Sequence, residues 1–124
     1  MMVKNTLKTD LGRVQVSDTA IAEIAASAAL KVPGVAGLGL ASRVEGLAEL
    51  LGVKPPLTGV QVEMNARDVS LKLHLVVEFG AEIAELALQV QEQAADAVEK
   101  MTGLEVRAVD VVVQGVKVAE KKGK

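Results

Sequence analysis

Cysteine, tryptophan and tyrosine are absent from this chain of 124 residues, and Phe79 is its only aromatic ring. Without thiols there are no disulfides, thiolate zinc sites, iron–sulfur ligands or cysteine nucleophiles. Without aromatics the core must be aliphatic, built from the Val, Leu, Ala and Ile that dominate an apolar half of the sequence. Histidine occurs once, so no histidine cluster can bind a metal or run a triad. The stretch Met1 to Asp10 has Lys4 and Lys8 but no apolar run of signal-peptide length, and no later run approaches the roughly twenty apolar residues of a membrane span. The expectation is a soluble, cytoplasmic protein. Fourteen basic against sixteen acidic side chains leave a formal charge of −2, which supplies no general attraction to phosphate backbones or anionic lipid. Lys117, Lys121, Lys122 and Lys124, interrupted by Glu120, read as a solubilising flexible end.

What is present is one domain's worth of periodic segments. A chain of this length buries roughly two-thirds of its unfolded surface, enough for a single core. Gly12 to Val16 alternates as a short strand at a sheet edge, and Ser17 with Asp18 then opens a helix carrying Ile21, Ile24, Ala25, Ala28 and Val32 up to Pro33-Gly34. Val35 to Leu40 reads as a buried strand that Gly37 and Gly39 bend or let another backbone approach. Ser42 to Glu45 has capping-box spacing and starts a short helix with Val44, Leu47, Leu50 and Leu51; Gly52 to Gly59 is a loop. Val60, Val62 and Met64, a turn at Asn65 to Asp68, and strict alternation from Val69 to Glu78 predict a hairpin. Ile83, Leu86, Ala87, Val90, Ala94, Ala97, Val98 and Met101 form one helical stripe that stops at Thr102-Gly103. The last strand runs Leu104, Val106, Ala108 and then changes phase to Val109, Val111, Val113, so a bulge is expected near Ala108 to Asp110 and the end of regularity at Gly115.

Two single-stripe helices and a sheet with one apolar face imply an α/β (α+β) two-layer sandwich, with a mostly antiparallel sheet and both main helices on one face. The expected organisation is a flexible N-terminus at 1–11, one domain at 12–118 and a lysine-rich flexible tail at 119–124. The second face of the sheet is left over.

Groups that could do chemistry are few. His74, between Lys72 and Val76 on the outer sheet face, reads as an ordinary strand histidine, because the local pattern supplies no further ligands. Glu85, Glu92, Asp96 and Glu99 lie on the polar side of the long helix and read as a solvated row. Gly37-Leu38-Gly39 lacks the third glycine of a dinucleotide loop. Gly34 to Gly37 has the GxxG form of KH domains, but it leads from a helix into a strand and contains no basic residue. No residue is assigned to catalysis, a metal or a cofactor. The candidate protein interface is Lys72, His74, Val76, Leu88 and Val112, where apolar residues fall outside the expected core.

Gly12-Arg13-Val14-Gln15-Val16-Ser17, Val32-Pro33-Gly34-Val35-Ala36-Gly37-Leu38, Val77-Glu78-Phe79-Gly80, Met101-Thr102-Gly103-Leu104-Glu105-Val106 and Val109-Asp110-Val111-Val112-Val113-Gln114-Gly115-Val116 resemble, in order and spacing, the alkaline-shock or envelope stress response family of Gram-positive and related bacteria. Phe79 and Asp110 depart from the tyrosine and asparagine frequent there. The resemblance implies a non-enzymatic protein linked to envelope or alkaline stress, of the compact cytoplasmic type without long charged extensions. Some members of that family are held at the membrane by a separate anchoring protein and self-assemble. For this chain the uncovered sheet face points to an interaction module acting through that face and the edge strand, with an unidentified protein partner, a homo-oligomer, and membrane association only peripherally through a partner as the expectations. A KH-like nucleic-acid-binding domain and a small lipid- or acyl-binding accessory protein are the alternatives, with nucleic acid disfavoured.

Overall fold

Strict alternation from Val69 to Val77 gives a strand with one wholly apolar side, and the rest of the domain is arranged around it. The computed structural model describes residues 2–3, 6–39 and 59–118. Its elements are β1 (Met2–Val3), β2 (Thr6–Thr9), β3 (Gly12–Gln15), α1 (Asp18–Leu30), β4 (Val35–Leu38), β5 (Val60–Met64), β6 (Asp68–Glu78), α2 (Ile83–Thr102) and β7 (Glu105–Lys117). The short helix expected from Ser42, and nearly all of the loop after it, lie outside the described residues, as does the tail.

β6 is the middle of the main sheet. One of its edges pairs antiparallel with β5 from Val69 to Leu73 and then with β4 from Leu75 to Val77, so β5 and β4 lie end to end. Its other edge pairs parallel with β7 from Asp68 to Glu78. Val69, Leu71, Leu73, Leu75 and Val77 point inward, each no more than 2% exposed.

Both helices cover that inward side, giving the expected two layers. Ser17 caps α1 by accepting the Ala20 N–H at 3.0 Å, which satisfies one of the helix's free donors. α1 buries Ile21, Ala22, Ala25, Ala26 and Ala29, and these small side chains let it pack closely against β4, β5 and α2. α2 buries Leu86, Val90, Ala94 and Val98 at four-residue spacing. Its stripe is narrower than expected, because Ile83 and Met101, in the first and last turns, remain exposed. Gly103 closes α2 in the left-handed conformation, φ +77°, with its N–H on the Glu99 carbonyl.

The structure adds detail at both ends of the chain's strand pattern. Residues 1–11, expected as a flexible N-terminus, hold β1 and β2, and β2 pairs antiparallel with β3 from Thr6↔Gln15 to Thr9↔Gly12. The alternating segment at Gly12 is an edge strand, as expected, and the sheet it borders is a separate one in the order β1-β2-β3. In β7 the register shifts leave Arg107 unpaired, one residue ahead of the expected bulge, and Gln114 as a second extra residue, and the strand continues to Lys117. The cause is phase: one added residue turns Val109, Val111 and Val113 to the same side as Val106, and another does so for Val116.

β4 and β5 meet at two glycines. Gly39 donates its N–H to the His74 carbonyl at 3.0 Å, and the His74 N–H donates to the Gly59 carbonyl at 2.9 Å. A Cβ on Gly59, φ +77°, would overlap the backbone of Gly39 and Leu38. Gln114 reaches across from β7 to donate its amide to the Gly39 carbonyl, so this junction ties together all the strands of the main sheet.

Candidate functional site

Alternation in β6 that turns five apolar residues inward necessarily turns Ser70, Lys72, His74 and Val76 outward. Their neighbours on β7 are Ala108, Asp110, Val112 and Gly115 respectively. On the other edge Glu63 and Gln61 of β5 oppose Ser70 and Lys72, and Gly37 of β4 opposes Val76. No described helix or strand packs on this face.

The face divides into two halves. Gln61, Glu63, Ser70, Lys72 and Asp110 surround a shallow depression of about 260 Å3, whose mixed charges suit solvent. The other half is apolar and flat, with Val112 beside His74 and Val76 between two glycines. Nothing lies near a Cβ built on Gly37, whereas one on Gly115 would touch a Val76 methyl at 3.7 Å. Val76, half-buried, therefore has no side chain beside it on either neighbouring strand. His74 links the halves, its Nε2 donating to Gln61 Oε1 at 3.2 Å. Among the described residues no three His, Asp or Glu side chains converge to hold a metal ion.

Four of the five candidate interface residues, Lys72, His74, Val76 and Val112, are thus brought together. Leu88 is not among them. It projects from α2, in the helical layer on the opposite side of the sheet, and is 54% exposed.

The carboxylate row on α2 is divided among different tasks. Asp96 pairs with Lys100 at 3.4 Å, Glu99 accepts the Val106 N–H at 3.0 Å, and Glu85 borders a groove at the start of the helix. The GxxG residues do not form a clamp between helices: Gly34 turns out of α1 at φ +98°, and Gly37 is already paired within the sheet. The groove beside Glu85 holds about 480 Å3 between the α1–β4 and β6–α2 turns, with Phe79 and Leu86 in its lining. Sequence reasoning misses it. The one available signal is Phe79, an isolated ring just past the end of an amphipathic strand.

No helix among the described residues is long and apolar enough to cross a membrane. A family model described as alkaline shock protein family, cell envelope-related function, matches residues 6–118, a span that begins at β2. The Bacillus subtilis (strain 168) protein YloU is 32% identical over 90% of this chain and 94% of its own length. YqhY of the same strain is 30% identical over 87% of this chain and 79% of its own length. A Streptococcus pyogenes serotype M6 protein is 28% identical over 90% and 93%.

Proposed function

Since the chain belongs to the alkaline shock protein family, with its cell envelope-related function, we propose that it is a non-catalytic protein-interaction module of the envelope stress response. Its binding surface is the apolar half of the outer sheet face, and the partners include a second copy of the chain. The observation that carries this reading is the contiguous placement of Val76 and Val112 around His74, with Gly37 and Gly115 flanking Val76. An antiparallel or mixed sheet can leave one face to solvent, but that face then alternates to polar residues. Here two β-branched residues break the alternation at neighbouring positions, and the glycines open a flat surface on which another backbone or sheet can lie. Interfaces gather their energy at such apolar centres with polar rims, and Lys72, Asp110 and Gln61 supply one side of the rim.

The test is Val76→Glu and Val112→Glu, each read by sedimentation for self-association and by affinity capture from native cells. Both positions face outward, so the thermal midpoint should hold while association or capture falls at least tenfold. Unchanged association and capture in both variants would remove this face from consideration.

A further inference from the structure

The groove between the α1–β4 and β6–α2 turns belongs neither to the core nor to the outer sheet face. Its floor is Leu86, 4% exposed, and Gly34 lets the two turns close over it, since a Cβ there would run into the Leu86 side chain. Its lip is Phe79, 74% exposed. In a chain that fills its core entirely with aliphatics, the one aromatic ring is left outside, where a ring offers the largest contact area and a π face to a visitor. Glu78, Glu82 and Glu85 surround it, and among the described residues no lysine or arginine lines it and no ion pair to these three forms. An apolar floor, an exposed ring and three carboxylates fit a lysine, whose methylene stem packs on the ring while its ammonium reaches the acids.

The parallel pairing of β6 and β7 supplies such lysines at this place. Because the strands run together they end together: Lys117 lies opposite Glu78, and the Phe79 N–H donates to the Lys117 carbonyl at 2.9 Å. The chain therefore leaves β7 at the lip of the groove, and Lys121, Lys122 and Lys124 follow. Six extended residues reach about 20 Å, while the carboxylates of α2 lie within about its first two turns, roughly 10 Å. We propose that this groove is a docking site for a lysine-bearing segment, and that residues 119–124 of the same chain occupy it. The inference goes beyond the outer-face reading and does not depend on it.

The absence of native cysteine makes the test clean. A nitroxide on Gly123→Cys in the full chain should broaden the amide signals of Phe79, Gly80, Glu82 and Leu86 selectively. High salt should abolish the effect, since it screens exposed charge pairs, and so should Glu82→Lys combined with Glu85→Lys. Reversing Lys121, Lys122 and Lys124 to Glu in the charge-swapped chain should restore it. Groove amides no broader than the rest of the surface would overturn the proposal. Equal broadening in a mixture of spin-labelled chain and separate 15N chain would overturn it too, by making a second copy the occupant.

Discussion

Replacing Gly59 by alanine should cost far more than the same replacement at Gly103, although both residues sit at φ +77°. The left-handed conformation charges a side chain about 1 kcal/mol wherever it occurs. At Gly103 nothing lies within 4 Å of the added Cβ, so that is the whole cost. At Gly59 the methyl meets the Gly39 nitrogen and Cα and the Leu38 carbonyl carbon, all backbone atoms that no rotamer change can move aside. Relief requires the ends of β4 and β5 to separate, which strains the Gly39–His74 and His74–Gly59 hydrogen bonds, each contributing about 1 kcal/mol. The total is about 3 kcal/mol against about 1, a large share of the roughly 5–15 kcal/mol that holds a domain together. Urea denaturation followed by circular dichroism measures both. With a slope near 2 kcal/mol per M the extra loss at Gly59 moves the midpoint about 1 M further down. Equal midpoints for the two variants would refute the reasoning that close backbone approach, and not φ alone, demands glycine at the junction.

Leu73→Ala, in the fully buried row of β6, should lower stability by about 3 kcal/mol through lost burial and the cavity left behind, whereas Leu88→Ala on the exposed side of α2 should stay within about 0.5 kcal/mol; thermal or urea melts of the pair check the layer assignment. Ser17→Ala removes the acceptor for the Ala20 N–H and should cost about 1 kcal/mol, recovered by Ser17→Asp; a melt that does not change would mean that the cap contributes nothing.

Features set by local periodicity are legible in the order of the residues alone. Val69 to Val77 alternates without a fault, and Leu86, Val90, Ala94 and Val98 recur every four residues, so β6, α2 and their buried faces follow directly. The same alternation places Lys72, His74 and Val76 on one face. It also puts Val112 there, once the phase change in β7 is attributed to a bulge. Leu88 fails to join them because its exposure follows from a helix and theirs from strands, and no local pattern says which layer each element occupies. Features made by distant segments are not legible in this way. Gly59 looks like the end of a loop until Gly39, twenty positions earlier, arrives against it. Thr6 to Thr9 shows too little alternation to announce a strand, and owes its pairing to the turn at Thr9–Gly12, where the Thr9 hydroxyl accepts the Leu11 N–H at 3.1 Å. The groove needs Gly34 and Phe79 side by side, which only the antiparallel return of β4 along β6 arranges.

The parallel direction of β7 carries the functional consequences of this fold. Run the other way, it would place its final lysine beside Asp68, at the far end from Phe79 and Glu82. In the observed direction one register does two things at once: it sets Val112 against His74 on the outer face, and it ends β7 at Lys117, opposite Glu78 of the acidic groove. Because the two surfaces are built from different side chains, they can be perturbed one at a time. Val76→Glu should abolish association while leaving the broadening of the groove amides intact, and reversal of Lys121, Lys122 and Lys124 in the otherwise unaltered chain should do the opposite. If a single substitution at Val76 moved both readouts without lowering the melting midpoint, the two surfaces would be energetically coupled through β6, and the independence argued from their separate side chains would be wrong.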